Sequence, residues 1–317
     1  MDRDCDAPRN GDSKDEQRPL TRDNKFCNSS FLDSGKLFRI LAQVIALNSA
    51  EFTRVYQDLT GSFEHASEFP LNDDFVSKPL SRIRRPLRPL RNAIYPGVDL
   101  PCWIEPPRTG RQTIILLGQD PRRDQGYFTV PARKQPYVVI GTPYSVHSRR
   151  MTQWHNNQRY WKIIQPLLDA GYNLYLTDIA KFWVRGQKTP PSGEARKIYK
   201  GILEKEIDLV APSLVVSFGV PATTFLMGPS FFAGKRMRDT KAVMLPLPLG
   251  STKVLPVLHP SPLTAPILPR YLRANGIPRG RDIAAIADII LRALTLEGSG
   301  ALQSQAGAPS AEAETSA

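Results

Sequence analysis

Four short apolar runs separated by helical segments predict an α/β protein, a three-layer αβα sandwich around a central four-stranded, mostly parallel sheet. The runs lie at 113–118, 172–178, 213–219 and 253–258. Three of them end on a polar group, at Asp120, Asp178 and His259. Ligands of open parallel sheets bind beyond the carboxyl ends of the strands, so three such groups on one sheet edge are the pattern of an active site.

Composition narrows the partners. The 317 residues suit one large domain with tails or two small domains, and 41% hydrophobic content is ample for a core. No apolar run approaches the roughly 20 residues that span a bilayer. The polar start, MDRDCDAPRNGDSKDEQRP, lacks a secretory signal, which implies a cytoplasmic, intracellular protein, nucleoid-associated or, in a eukaryote, nuclear. A formal net charge of +12 favours a polyanionic partner. Nucleic acid fits better than membrane, because no strongly amphipathic basic helix is present. Cys5, Cys27 and Cys102 are odd in number and dispersed, which argues against a disulfide framework or a zinc site. Four histidines, at 65, 147, 155 and 259, do not make a histidine-rich metal centre.

Along the chain, residues 1–30 read as a disordered polar tail. Residues 31–94 read as N-terminal helices followed by a basic Pro/Arg linker. Leu37, Ile40, Leu41, Val44, Ile45, Phe52 and Val55 recur at helical spacing. The Arg-Pro-Leu pattern of residues 79–91 excludes a regular helix and suits either a phosphate track or a solvated linker. Residues 95–296 form the main domain. Pro96 to Pro107 reads as a loop, and Ile114 to Leu117 as a buried strand halted at Gly118. Gln119, Asp120 and Pro121 turn the chain, and an extended piece from Tyr137 places Tyr144 near a second turn. A helix is expected over 158–170, ended by Gly171, and another over 193–210. Pro221 to Met227 and Arg281 to Leu296 read as further helices, and residues 297–317 as a disordered low-complexity tail.

Gly118-Gln119-Asp120-Pro121 and His259-Pro260-Ser261-Pro262-Leu263 together resemble the two signature motifs of the uracil-DNA glycosylase superfamily. Gly141-Thr-Pro-Tyr144 resembles the segment whose aromatic stacks on the extruded base. Thr177-Asp178-Ile-Ala-Lys181 resembles the segment that reads the base edge. The resemblance covers about residues 95–296. It implies that Asp120 positions the attacking water and that His259 stabilises the base anion. It further implies base contacts from Gln119, Tyr144 and Asp178, and DNA contacts from Ser261, Leu263, Arg149, Arg150 and Lys181. The implied partner is DNA, single- or double-stranded, carrying uracil or another altered base, and the implied enzyme is a monomer without a cofactor. Relatives with an iron–sulfur cluster use four cysteines, which three dispersed cysteines cannot supply.

Two departures bear on specificity. Arg122-Arg123 replaces the Tyr-His that follows this motif in the family, where the Tyr excludes 5-methyl bases. Asp178 stands where the family has Asn. An ionised Asp matches only the N3–H of uracil, whereas a protonated one matches uracil or pairs with cytosine N3 and its amino group. The expected activity is base excision. The alternatives are a catalytically weakened member that only binds DNA, and an enzyme of free nucleosides, against which Leu263 and the basic stretches argue.

Overall fold

The computed structural model describes residues 24–27, 32–64, 76–87, 94–107, 112–122, 137–148, 155–187, 191–248, 252–278, 280 and 282–305. The chain opens with β1 (Lys25–Phe26), α1 (Ser34–Leu41), α2 (Ser49–Glu64), β2 (Val76–Pro79), β3 (Gly97–Asp99) and β4 (Cys102–Glu105). It continues through β5 (Thr113–Gly118), β6 (Tyr137–Gly141), α3 (His155–Asp169), β7 (Asn173–Asp178) and β8 (Phe182–Trp183). Then follow α4 (Gly193–Val210), β9 (Leu214–Phe218), α5 (Gly219–Met227), β10 (Leu245–Pro246), β11 (Lys253–Val257), α6 (Leu268–Ala274) and α7 (Ala285–Gln305).

Among the described residues the main sheet is mixed and has seven strands in the order β1-β4-β7-β5-β9-β11-β10. Its centre, β7-β5-β9-β11, is parallel and consists of the four runs expected from sequence. The edges pair antiparallel: β1 with β4, β4 with β7, and β10 with β11. The expectation of a four-stranded, mostly parallel sheet is therefore corrected. The edge strands have two to four residues, too few for a readable period, and β4 lies where a loop was expected. A second sheet, β2-β6-β3-β8, was also not foreseen.

Burial explains the parallel centre. Ile114, Ile115, Leu116 and Leu117 on β5 are fully buried, as are Leu214, Val215 and Val216 on β9. Burying each such side chain contributes about 1.5–3 kcal/mol, offset by the entropy of ordering it. Register then aligns the carboxyl ends, with Gly118 opposite Asp178, Leu117 opposite Ser217, and Phe218 opposite Val257. Everything that follows these strands emerges at one edge.

The N-terminal segment is part of this core. Asp33 caps α1 by accepting from the Lys36 N–H at 2.9 Å. Asn48 and Glu51 form a reciprocal capping box on α2. Leu37, Leu41, Phe52, Val55 and Leu59 are all buried. Within the basic stretch, Arg82 pairs with Glu51 and donates to the Ala46 carbonyl, while Arg84 donates to the Ala42 carbonyl. These two arginines fasten the stretch to the helices, so neither the phosphate track nor the solvated linker describes them.

Parts of both segments expected as tails are described, and the rest of them lies outside the described residues. Lys25–Phe26 pairs with β4, and α7 continues to Gln305. Among the described residues no helix is long and apolar enough to cross a membrane.

Candidate active site

Asp120, Asp178 and His259 line one cavity of about 560 Å³ at the carboxyl edge of the main sheet. Gln119, Tyr144, Ser261 and Leu263 line it as well, so seven of the ten expected site residues meet there. Arg149 and Arg150 lie outside the described residues.

His259 follows β11 and is fixed by its own loop. The Ser261 backbone N–H donates to His259 Nδ1 at 3.2 Å. Nδ1 is therefore an acceptor, and a neutral ring must carry its proton on Nε2. Nε2 lies 3.4 Å from the Tyr160 hydroxyl. Burial pushes the imidazole pKa down to about 4, so the ring is neutral at physiological pH. Thr264 donates to the His259 carbonyl at 2.6 Å, and Arg159 Nε to the Pro260 carbonyl at 2.8 Å. Opposite the ring, Gly219 adopts φ +78°, and a Cβ there would come within 2.9 Å of His259 Cβ. Leu263 sits at the cavity rim on a single 3₁₀ turn, Pro262–Thr264, with 88% of its surface exposed.

Asp120 stands two residues beyond β5 and is half-buried. Gln119 Nε2 donates to its Oδ2 at 3.0 Å, which orients the carboxylate. Asp120 and the His259 imidazole line the same cavity, which gathers a carboxyl group and a ring N–H donor around one space.

The floor is closed by Asp178, Tyr144 and Asp99. Gly118 makes this packing possible, since a Cβ on it would fall 2.1 Å from Asp178 Oδ1 and 2.6 Å from the Tyr144 hydroxyl. Tyr144 and Ser145 both take left-handed backbone angles, φ 58° and 54°, a strain that concentrates at functional sites. The Tyr144 ring stacks on Tyr160 at 3.9 Å and 17°, so protein already covers one of its faces. Asp178 has its carboxyl pKa raised well above the usual range, first by burial, then by the charge of Asp99, with Lys181 opposing. Gly118→Ala should therefore displace Asp178 and Tyr144 and lower base release at least tenfold while the melting temperature falls by only a few degrees, as measured by single-turnover cleavage beside thermal unfolding. Unchanged release would show that the floor has no part in the reaction.

Lys181, expected on the DNA, is corrected. It is 1% exposed, and its ammonium is bound to Glu206 Oε2 at 2.7 Å, to the Asp178 carbonyl at 2.7 Å and to the Thr177 hydroxyl. Burial and an internal partner keep it from any phosphate. Glu206 also accepts from Tyr175 and Thr177. Sequence reasoning missed Asp99, Tyr160 and Glu206. Glu206 alone carried a signal, since it falls on the apolar face of α4 beside Leu203 and Val210.

The family model of the uracil DNA glycosylase superfamily matches residues 108–269. The chain belongs to this superfamily. The match lies inside the region of motif resemblance and contains both signature motifs and the cavity-lining residues from Gln119 to Ile267, all of the lining except Asp99. A search of the curated proteins finds no match. Superfamily membership is thus established for the domain, and proteins of this superfamily act on DNA.

Proposed function

We propose that this protein is a DNA glycosylase that hydrolyses the N-glycosidic bond of an altered, flipped-out base. The observation that carries the reading is the neutral His259, with its ring proton on Nε2, sharing a cavity with Asp120. Breaking the C1′–N bond leaves its electron pair on the base and an oxocarbenium-like sugar. Nε2–H stabilises the base, and the Asp120 carboxylate stabilises the sugar and holds the water. The water oxygen then bonds to C1′, and its proton passes to Asp120. Extruding a base costs a few kcal/mol of unstacking, which the exposed Leu263 offsets by filling the gap in the duplex. Gln119 orients the carboxylate, Ser261 the imidazole, and Tyr144 walls the base. Arg149 and Arg150 are proposed to contact phosphates. The reaction needs no cofactor, and one chain carries every proposed group, consistent with a monomer.

A second reading, a DNA-binding member with weakened catalysis, is favoured by one feature, the buried carboxyl group of Asp178 where an amide suits uracil better. An oligonucleotide with one uracil, treated with the protein and then with alkali, separates the two. Strand scission supports the glycosylase; binding with no scission for any altered base supports the binder. The His259 assignment adds a pH signature. Its pKa of about 4 predicts no imidazole inflection in the release rate between about pH 5.5 and 8. An inflection near 6.5 that disappears in His259→Gln would contradict the buried, neutral ring. Stability carries the same sign: it falls as pH drops from 6.5 towards 4, where the unfolded imidazole takes a proton that the folded one refuses.

A further inference from the structure

Two groups assigned to the base, Tyr144 and His259, are already engaged, and by the same side chain. Tyr160, on the second turn of α3, lies face to face with Tyr144, with ring centroids 3.9 Å apart. Its hydroxyl lies 3.4 Å from His259 Nε2. Because Nδ1 accepts from the Ser261 N–H, Nε2 is the donor of the neutral ring and the phenol oxygen its acceptor. The Tyr160 ring also meets Phe218 and His259 nearly at right angles, at 6.4 and 5.9 Å. Despite these contacts it is only half-buried and lines the cavity, unlike the fully buried core rings of Tyr175, Tyr199 and Tyr271. The neighbouring Arg159 donates to the Pro260 carbonyl at 2.8 Å, which ties this turn of α3 to the loop that carries Leu263.

A flat ring against Tyr144, with an oxygen accepting from His259 Nε2–H, is what a flipped base with a ring carbonyl would offer. Tyr160 offers the same two contacts from within the chain. Nε2 carries one hydrogen, and the stacked face of Tyr144 has room for one ring, so base and phenol compete for both. We propose that Tyr160 is a resident occupant of the base seat, a latch that an extruded base must displace, and so a residue that sets which bases are retained. The proposal rests on the glycosylase reading. A base whose contacts with Tyr144 and His259 fall short of those of Tyr160 is not held long enough to react. The apparent affinity for a flipped base is lowered by the fraction of molecules whose latch is open. In the absence of a base, the latch keeps the His259 donor paired, and a buried N–H without a partner is costly.

The test compares Tyr160, Tyr160→Phe and Tyr160→Ala, each combined with Asp120→Asn so that strands stay intact, and each checked for folding by circular dichroism. Fluorescence anisotropy follows binding of strands carrying one uracil, one hypoxanthine or one tetrahydrofuran abasic analogue. A base-bearing strand should bind about threefold more tightly to Tyr160→Phe, which loses the hydrogen bond, and about tenfold or more to Tyr160→Ala, which loses the ring as well. The abasic strand brings no base to the seat, so its affinity should change by less than about twofold. Weaker or unchanged binding of both base-bearing strands, or an equal gain on the abasic strand, overturns the latch. Tyr160→Phe keeps the ring, so the comparison stands even where Tyr160→Ala fails to fold. A second readout uses p-cresol, the Tyr160 side chain as a free molecule, added to Tyr160→Ala with Asp120 intact. Refilling the seat should slow base release; restored release would make Tyr160 a positioning residue and overturn the latch. If no protein with Asp120 intact releases any base, the glycosylase reading fails, and the affinities alone decide the latch.

Discussion

Asp120→Asn is expected to lower single-turnover base release about 100-fold or more while DNA affinity, followed by fluorescence anisotropy, stays within about twofold. The substitution keeps shape and removes charge. Gln119 Nε2 donates to Asp120 Oδ2 at 3.0 Å, and an amide placed there can still present its oxygen, so the loop keeps its place. What disappears, on the proposed mechanism, is the negative charge beside the sugar and the group that takes the water proton. An anionic carboxylate contributes little to holding a polyanion, which is why binding and chemistry should separate. Equal release rates in wild type and variant would remove Asp120 from the mechanism and with it the carboxylate half of the proposed site.

Lys181→Met should destabilise the fold by about 3–5 kcal/mol in urea unfolding, because it leaves Glu206 as a buried carboxylate without its cation. Glu206 has no exposed surface, and two neutral hydroxyls, from Tyr175 and Thr177, are its remaining donors. The double variant Lys181→Met/Glu206→Leu should recover most of the loss, since an apolar pair of similar volume replaces a buried ion pair at little cost. Base release should fall as well in the single variant, because the ammonium also holds the Asp178 carbonyl at the floor of the cavity. A loss below about 1 kcal/mol would mean that water reaches Glu206 and that the pair behaves like a surface bridge.

The sequence by itself determined whatever depends on neighbours a few residues apart. The four buried runs became β5, β7, β9 and β11 because uninterrupted apolar side chains can only be satisfied with both sheet faces covered. The helix at 193–210 was legible to the residue, and so were the two motif loops that deliver Asp120 and His259. Short edge strands were not legible, since two to four residues hold no period and their pairing is chosen by a distant partner. The direction of Lys181 was decided only in three dimensions. A lysine beyond a strand end reads as a cation for phosphate until α4, 25 residues later, places Glu206 beneath it. Asp99 was hidden in the same way. It ends a three-residue strand in a loop-like stretch, and only the second sheet brings it to the cavity that Asp178 also lines. Local patterns fix which segments are buried, while the pairing of buried charges, such as Lys181 with Glu206, depends on chain segments meeting across the fold.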